Sequence, residues 1–130
     1  MLEKHGVKPH ILFVDDEAPI RELLALYFRK RGYEVTTAVT SNEALKLAAA
    51  GSFQLAILDV DIAGENGLEL LTTLKAQYTQ LPVIMFTGLA SDTELLAKSK
   101  SLGADGFMQK QGSLHELFGA VQRFVPVPSA

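Results

Sequence analysis

The fold is indicated first by Leu55-Ala56-Ile57-Leu58-Asp59, an apolar run that stops abruptly at a carboxylate. A second apolar run, Ile11-Leu12-Phe13-Val14, stops at the pair Asp15-Asp16. Two strands that both end in acid can place three carboxylates at one edge of a sheet. Because like charges at close range repel, a protein keeps such a cluster mainly where a divalent cation neutralises it. The two runs therefore predict a metal site with a reactive aspartate, Asp59.

The composition limits the class of protein. A chain of 130 residues that is 48% hydrophobic and 21% charged suits one globular domain with a single core. The net charge of −3, with dispersed basic residues, argues against non-specific nucleic-acid binding. The absence of cysteine excludes disulfides and thiolate zinc sites. No apolar stretch has the length of a membrane span or the pattern of a signal peptide, so we expect no membrane partner and a cytoplasmic location.

Strand and helix patterns alternate five times along the chain. The first, third and fourth strands, at about 10–14, 55–59 and 82–87, are continuously apolar, which indicates burial on both faces. The second strand, at about 33–38, is more polar and suits a sheet edge. A short fifth strand is predicted at about 106–108. The pattern favours a parallel sheet with helices on both sides.

The helices are indicated by apolar periodicity and by capping residues. The first helix is predicted at about 19–31 and the third at about 68–78, and Gly32, Gly51 and Gly103 are predicted to end the first, second and fourth helices. A Ser or Thr followed by Glu three residues later predicts the start of the other helices. These pairs are Thr40 with Glu43, Ser91 with Glu94, and Ser113 with Glu116.

The residues that follow the strands carry the predicted chemistry, because ligands of open parallel sheets bind outside the carboxyl ends of the strands. Asp15, Asp16, Asp59 and Thr87 stand at such ends, and Lys110 follows the fifth strand. Any one of the acids could instead be a simple helix cap. Together they could hold a phosphoryl group, with a metal and the ammonium neutralising its oxygens and the hydroxyl donating a hydrogen bond. Hard oxygen ligands favour Mg²⁺ over zinc.

Four motifs in order resemble the receiver domain of two-component response regulators. The resemblance covers about residues 10–124 and implies a CheY-like fold: a doubly wound (βα)5 α/β domain with five parallel strands in order 2-1-3-4-5 and helices on both faces. We expect an N-terminal extension at 1–9, the receiver domain at 10–125, and a C-terminal tail or linker stub at 126–130. The motifs are Val14-Asp15-Asp16, Leu58-Asp59 with Gly67 eight residues on, Val83-Ile84-Met85-Phe86-Thr87-Gly88, and Gly103-Ala104-Asp105-Gly106-Phe107 leading to Lys110.

The resemblance also implies roles around the metal. Asp59 resembles the phosphoacceptor, which attacks the phosphohistidine of a partner kinase as a carboxylate nucleophile. Asp16 would bind Mg²⁺ (or Mn²⁺) directly, and Asp15 would bind it directly or through water. Asp59 would be a further ligand, and Asp61 would contribute its backbone carbonyl.

Further roles concern the phosphoryl group and the output. Thr87 and Lys110 would contact the phosphoryl oxygens, and Phe107 would turn inward as the switch aromatic when Thr87 moves. The implied output face comprises the fourth helix, fifth strand and fifth helix. The implied partners are a histidine kinase or phosphotransfer protein, a downstream effector domain or protein, and a second copy of the chain bound through that face, with no direct contact to nucleic acid.

Three residues depart from the family pattern or add to it. Ala63 stands where the family usually has proline, which predicts a more mobile loop over 60–66. Gln111 replaces a proline that follows a cis bond, and because a cis bond before another residue costs about 2.5–4 kcal/mol, we expect a trans Lys110–Gln111 bond. The Asp61 side chain either points into the mouth of the site or is a solvated loop acid.

Three other functions compete with this interpretation. The run Leu58-Asp59-Val60-Asp61 also resembles the start of haloacid-dehalogenase-type phosphatases, although there it closes the first strand. A flavodoxin-like cofactor binder shares the topology, but Asp15-Asp16-Glu17 would repel its phosphate. A pseudo-receiver, a scaffold that is never phosphorylated, is the third alternative, and Gln111 is the feature that favours it.

Overall fold

The structure is a computed structural model that describes residues 8–88 and 93–127 of the chain. Five strands form one parallel sheet in the order β2-β1-β3-β6-β7, and β4 and β5 form a separate antiparallel pair. The strands are β1 (His10–Val14), β2 (Glu34–Ala38), β3 (Leu55–Leu58), β4 (Asp61–Ile62), β5 (Glu65–Asn66), β6 (Val83–Thr87) and β7 (Gly106–Gln109). The helices are α1 (Ala18–Arg29), α2 (Ser41–Ala50), α3 (Gly67–Gln77), α4 (Thr93–Ser101) and α5 (Leu114–Phe124).

The sheet order confirms the predicted fold, because the predicted fourth and fifth strands are β6 and β7. The central strands β3 and β6 are buried along their whole length, and β1 is buried from its second residue. The more polar β2 lies at the sheet edge, as its pattern predicted. Val14 pairs with Leu58, and Leu58 pairs with Met85. The carboxyl ends of these three strands therefore lie side by side.

The core has two parts, one on each face of the sheet. Successive side chains of a strand point to opposite faces. Leu12 and Val14 therefore belong to the part that α2 and α3 cover. Ile11 and Phe13 belong to the part that α1 and α5 cover. Helices therefore cover both faces of the sheet, and the residues that follow the strands lie at its carboxyl edge.

The capping predictions are confirmed for two helices. The hydroxyl of Thr40 accepts a hydrogen bond from the backbone N–H of Glu43 at 3.1 Å, and that of Ser113 accepts one from Glu116 at 3.0 Å. Ser91, the third predicted cap, lies outside the described residues. Helix α1 ends at Arg29, two residues earlier than predicted, and the chain turns at Gly32, where φ is +99°.

The residues after α5 pack on the domain. The Tyr33 hydroxyl donates a hydrogen bond of 2.7 Å to the carbonyl of Val125. A Cβ built on Gly32 would lie 3.2 Å from Val127 Cγ1, which shows how closely the tail approaches the α1–β2 connection. The segment 125–127 is therefore held against the α1–α5 side of the core.

The β4–β5 hairpin was not predicted from the sequence. Its strands pair Asp61 with Asn66 and Ile62 with Glu65, so that Ala63 and Gly64 form a two-residue turn. Both turn residues have positive φ, +53° and +80°, the pattern of a type I′ turn. Proline fixes φ near −65° and could not occupy position 63 in this turn. The expected mobility of this loop remains a prediction.

Replacing Ala63 by Asn should stabilise the fold. Alanine at φ +53° is strained, whereas Asn tolerates the left-handed region and Asn-Gly is the favoured type I′ pair. We expect the free energy of unfolding to rise by roughly 0.5–1 kcal/mol, measured by urea denaturation. Ala63→Pro should instead lower it, and an equally stable proline variant would contradict the turn.

Candidate functional site

One ammonium and three carboxylates meet at the carboxyl ends of the central strands. Lys110 Nζ lies 2.8 Å from Asp15 Oδ2, 2.8 Å from Asp59 Oδ2 and 2.7 Å from Glu17 Oε1. The Asp15 side chain is fully buried and that of Asp59 is only 7% exposed. Three predicted site residues, Asp15, Asp59 and Lys110, are thus in direct contact.

Backbone hydrogen bonds of the sheet place these residues. Asp59 donates its N–H to the carbonyl of Val14 at 3.0 Å, which continues the pairing of β1 with β3. Lys110 donates its N–H to the carbonyl of Thr87 at 2.9 Å, which continues the pairing of β6 with β7. The described residues contain no cis peptide bond, so the Lys110–Gln111 bond is trans, as predicted. Lys110 contacts Asp15, Glu17 and Asp59 even though the bond that follows it is trans and not cis as in the family pattern.

Burial and ion pairing act in opposite directions on the charged groups. Burial raises the pKa of Asp15 above its ordinary value, and the nearby Lys110 only partly offsets this. Burial alone would lower the pKa of Lys110, but its close ion pairs with Asp15, Asp59 and Glu17 outweigh burial and raise it. Lys110 is therefore firmly protonated. Its stabilising contribution is complete below the ordinary lysine pKa of 10.5 and is lost as the pH rises through its folded-state pKa.

The arrangement fits a divalent cation. Asp15, Glu17 and Asp59 each place one carboxylate oxygen within 4.8 Å of those of the other two. Three carboxylates and one ammonium leave a formal charge of −2, since −3 + 1 = −2. Asp15 Oδ2 is buried and close to Lys110, yet the angles do not make a hydrogen bond and it has no other hydrogen-bond partner among the described residues. A hard, anionic oxygen with spare lone pairs suits Mg²⁺.

Glu17 is the site residue that the sequence analysis missed, and Asp16 is not in the cluster. Glu17 has extended dihedral angles, φ −91° and ψ 110°. Alternate residues of an extended segment point to the same side, which brings Asp15 and Glu17 together at Lys110. Both Asp16 and Glu17 are exposed, but only Glu17 belongs to the cluster. The run of three acids was the available signal. Direct binding of the cation by Asp16 remains a prediction.

The Asp61 side chain contributes to the hairpin turn. Its Oδ1 accepts a hydrogen bond from the N–H of Gly64 at 3.3 Å, and the side chain is exposed. Its backbone N–H lies 3.4 Å from Asp59 Oδ1. The structure therefore places the backbone of Asp61, rather than its carboxylate, next to the phosphoacceptor candidate.

Thr87 and Phe107 lie on neighbouring strands near the cluster. Thr87 ends β6 and is 1% exposed. Phe107 lies in β7, where it pairs with Met85 of β6, and it is half-buried against the α2–α3 side of the core. The side-chain amide of Gln111 donates a hydrogen bond of 3.3 Å to the carbonyl of Gly88, which links the turn after Lys110 to the residue after Thr87. A switching role for Thr87 and Phe107 remains a prediction.

Residues 11–122 match the family model of the response regulator receiver domain. The chain belongs to this family. A transcriptional regulatory protein of Bacillus subtilis, YkoG, which is itself uncharacterized, is 35% identical over 115 residues, which are 88% of this chain and 50% of that protein. The receiver domain described here thus spans about half the length of this curated relative.

Solved structures of receiver proteins have the same fold. The chemotaxis protein CheY4 of Vibrio cholerae is 30% identical with a TM-score of 0.86, covering 92% of this chain and 100% of that one. TrrA of Thermotoga maritima, solved in complex with Mg²⁺-BeF, is 33% identical with a TM-score of 0.81, covering 90% and 99%. Receiver domains are signalling domains rather than classical enzymes. None of the described helices is long and apolar enough to cross a membrane.

Replacing Asp15 by Asn should stabilise the ion-free domain and weaken its metal site. Because burial raises the pKa of Asp15, ionising it costs stability as the pH rises above its ordinary value of 3.8. The uncharged amide removes this cost, so we expect a higher free energy of unfolding at pH 7 and Mg²⁺ affinity reduced more than about tenfold. Urea denaturation and calorimetric titration test the two effects. A less stable variant would mean that the Asp15–Lys110 attraction exceeds the cost of burial.

Proposed function

We propose that this receiver domain accepts a phosphoryl group on Asp59 from the phosphohistidine of a histidine kinase or phosphotransfer protein in the cytoplasm. The observation that carries the proposal is the contact of Asp59 Oδ2 with Lys110 Nζ at 2.8 Å, inside an acidic cluster that fits Mg²⁺. The complex of the relative TrrA with Mg²⁺-BeF supports the same chemistry at this kind of site.

In the proposed reaction, an Asp59 carboxylate oxygen attacks the phosphorus of the donor. The new bond is an acyl phosphate, and the bond from phosphorus to the histidine nitrogen breaks. Lys110, which stays protonated, turns from the carboxylate to the incoming phosphoryl oxygens and neutralises part of their charge. Thr87, at the end of the adjacent strand, donates a hydrogen bond to another oxygen.

The cation would be held by Asp15, Asp59 and Glu17, together with Asp16 and the Asp61 carbonyl that the family resemblance implies. When bound, it supplies charge that lets an anionic carboxylate meet an anionic phosphoryl group. Without it, the formal charge of −2 would repel the donor. Phosphorylation should therefore require Mg²⁺ or Mn²⁺.

The output surface comprises α4, β7 and α5. We propose that Thr87 moves toward the phosphoryl group and that Phe107 turns inward with it, which alters this surface for an effector domain, an effector protein or a second copy of the chain. Phe107 is half-buried, so an inward turn would bury its ring further.

Intact mass spectrometry tests the proposal. The protein is incubated with a small phosphodonor such as acetyl phosphate, with and without Mg²⁺. We expect one added phosphoryl group only with the metal, lost in Asp59→Asn and kept in the matched variant Asp61→Asn. An adduct that persists in Asp59→Asn would place the chemistry elsewhere, and no adduct in the wild type would favour a scaffold that is never phosphorylated.

A further inference from the structure

The β4–β5 hairpin connects the phosphorylation site to the start of α2. It begins two residues after Asp59, and its second strand contains Glu65. The carboxylate of Glu65 accepts a hydrogen bond of 3.0 Å from the backbone N–H of Ser41, the first residue of α2. The hairpin is thus tied to a helix that is 24 residues away in sequence.

The hydrogen bond from Ser41 to Glu65 pairs a backbone N–H that has no partner within α2. The first N–H groups of a helix have no partner within it, and the helix dipole favours a carboxylate there. The hydroxyl of Thr40 accepts from the N–H of Glu43, and the Glu43 carboxylate accepts from that of Val39 at 2.8 Å. Glu65 supplies the acceptor for Ser41, so its carboxylate completes the capping of α2 from outside the helix.

The hairpin is short, and contacts outside its own strand pairing hold it in place. It has only two residue pairs, and a hairpin this short is not stable by itself. Its turn includes Ala63 at a strained φ of +53°. Ile62 anchors the first strand in the core, where it is fully buried, whereas Glu65 and Asn66 of the second strand are exposed. The second strand is held at its end by Asn66, whose side chain accepts a hydrogen bond from Leu68 N–H at 2.9 Å and so caps α3. The bond from Ser41 to Glu65 holds it next to the turn.

We propose that Glu65 is a positioning residue of the phosphorylation site, which fixes the hairpin and hence the backbone of Asp61. The Asp61 N–H lies 3.4 Å from Asp59 Oδ1, and its carbonyl is an implied ligand of the cation. This inference rests on the proposed function. It assigns to Glu65 and the α2 N-terminus the restraint that the family usually obtains from proline at position 63.

Two variants each remove one partner of the Ser41–Glu65 hydrogen bond. Glu65→Ala removes the acceptor, and Ser41→Pro removes the donor. Proline is favoured at the first position of a helix, and the preceding Thr40 already has the extended angles, φ −130° and ψ 162°, that proline requires before it. Helix α2 should therefore stay intact in Ser41→Pro. Glu69→Ala, which removes an exposed carboxylate from the first turn of α3, is the charge-matched control.

The measurement is Mg²⁺ binding by isothermal titration calorimetry without any phosphodonor. We expect each variant to bind Mg²⁺ about tenfold more weakly than the wild type, as for other residues that orient metal ligands. The double variant should bind no more weakly than either single one, since both remove the same bond. Glu65→Gln keeps a carbonyl acceptor and should recover part of the affinity, while Glu69→Ala should match the wild type.

Unchanged Mg²⁺ affinity in Glu65→Ala and Ser41→Pro would overturn the inference, even if both variants were less stable to urea, because that pattern describes a purely structural cap. Additive losses in the double variant would also overturn it. A wild-type domain that binds no Mg²⁺ would overturn the proposed function together with the inference, so the two failures are distinguishable.

Discussion

Replacing Lys110 by Met is expected to lower the free energy of unfolding by about 3 kcal/mol at neutral pH without divalent cations. Lys110 is 14% exposed and its ammonium is within 2.8 Å of three carboxylate groups. Without it, the buried carboxylates of Asp15 and Asp59 would lose the ion-pair partner that they share. The pKa of Asp15, which burial already raises, should then rise further, so the variant should gain stability as the pH is lowered toward 5.

Mg²⁺ should restore much of this loss, because the cation binds only the folded cluster and replaces the missing positive charge. Urea denaturation followed by circular dichroism, with and without millimolar Mg²⁺, measures both effects. Lys46→Met on the exposed face of α2 controls for the change in net charge. A Lys110→Met variant as stable as the wild type at neutral pH without metal would contradict the account of the cluster.

Among the described glycines, Gly67 should be the least tolerant of replacement by Ala. A Cβ at position 67 would overlap the carbonyl oxygen of Asp59 and lie 3.0 Å from Val60 Cα, and neither backbone atom can rotate away. The N–H of Gly67 also donates to the carbonyl of Val60 at 2.6 Å. We expect a loss of about 2–3 kcal/mol in unfolding free energy and a displaced Asp59.

The loss in Gly67→Ala should be accompanied by slower phosphorylation at saturating Mg²⁺, measured by intact mass over time. Gly119→Ala is the matched control, because nothing lies within 4 Å of its added Cβ in the middle of α5. That change should raise stability by up to about 1 kcal/mol through helix propensity. Equal stability of Gly67→Ala and the wild type would contradict this prediction. It would show that the backbone at position 67 can move away from Asp59 and Val60 at little cost.

The features that depend on the pattern of apolar strands could be predicted from the sequence. The apolar runs that end at Asp15 and Asp59 predicted neighbouring parallel strands, and parallel pairing necessarily places both carboxylates at the same edge. Lys110 was predicted to join them and does so, although Gln111 replaces the family's proline. Two of the three predicted capping pairs are present as hydrogen bonds, and Ser91 of the third pair lies outside the described residues.

Features that depend on local backbone angles were not predictable in the same way. The contact of Glu17 with Lys110 depends on an extended residue before α1, which the run of acids does not reveal. The hairpin was missed because Ala63 is not a residue that suggests positive φ. The capping of α2 by Glu65 joins residues that no short motif connects. The first two features depend on local dihedral angles, and the third depends on where tertiary packing brings two distant segments together.

The most direct test of the central claim is the position of the phosphoryl group. The domain is incubated with phosphodonor and Mg²⁺, treated with borohydride, which reduces an aspartyl phosphate to homoserine, and digested for peptide mass spectrometry. We predict homoserine at position 59 and unchanged aspartates at 15, 16 and 61. Homoserine at any of those other positions, with Asp59 intact, would contradict the assignment of Asp59 as the phosphoacceptor.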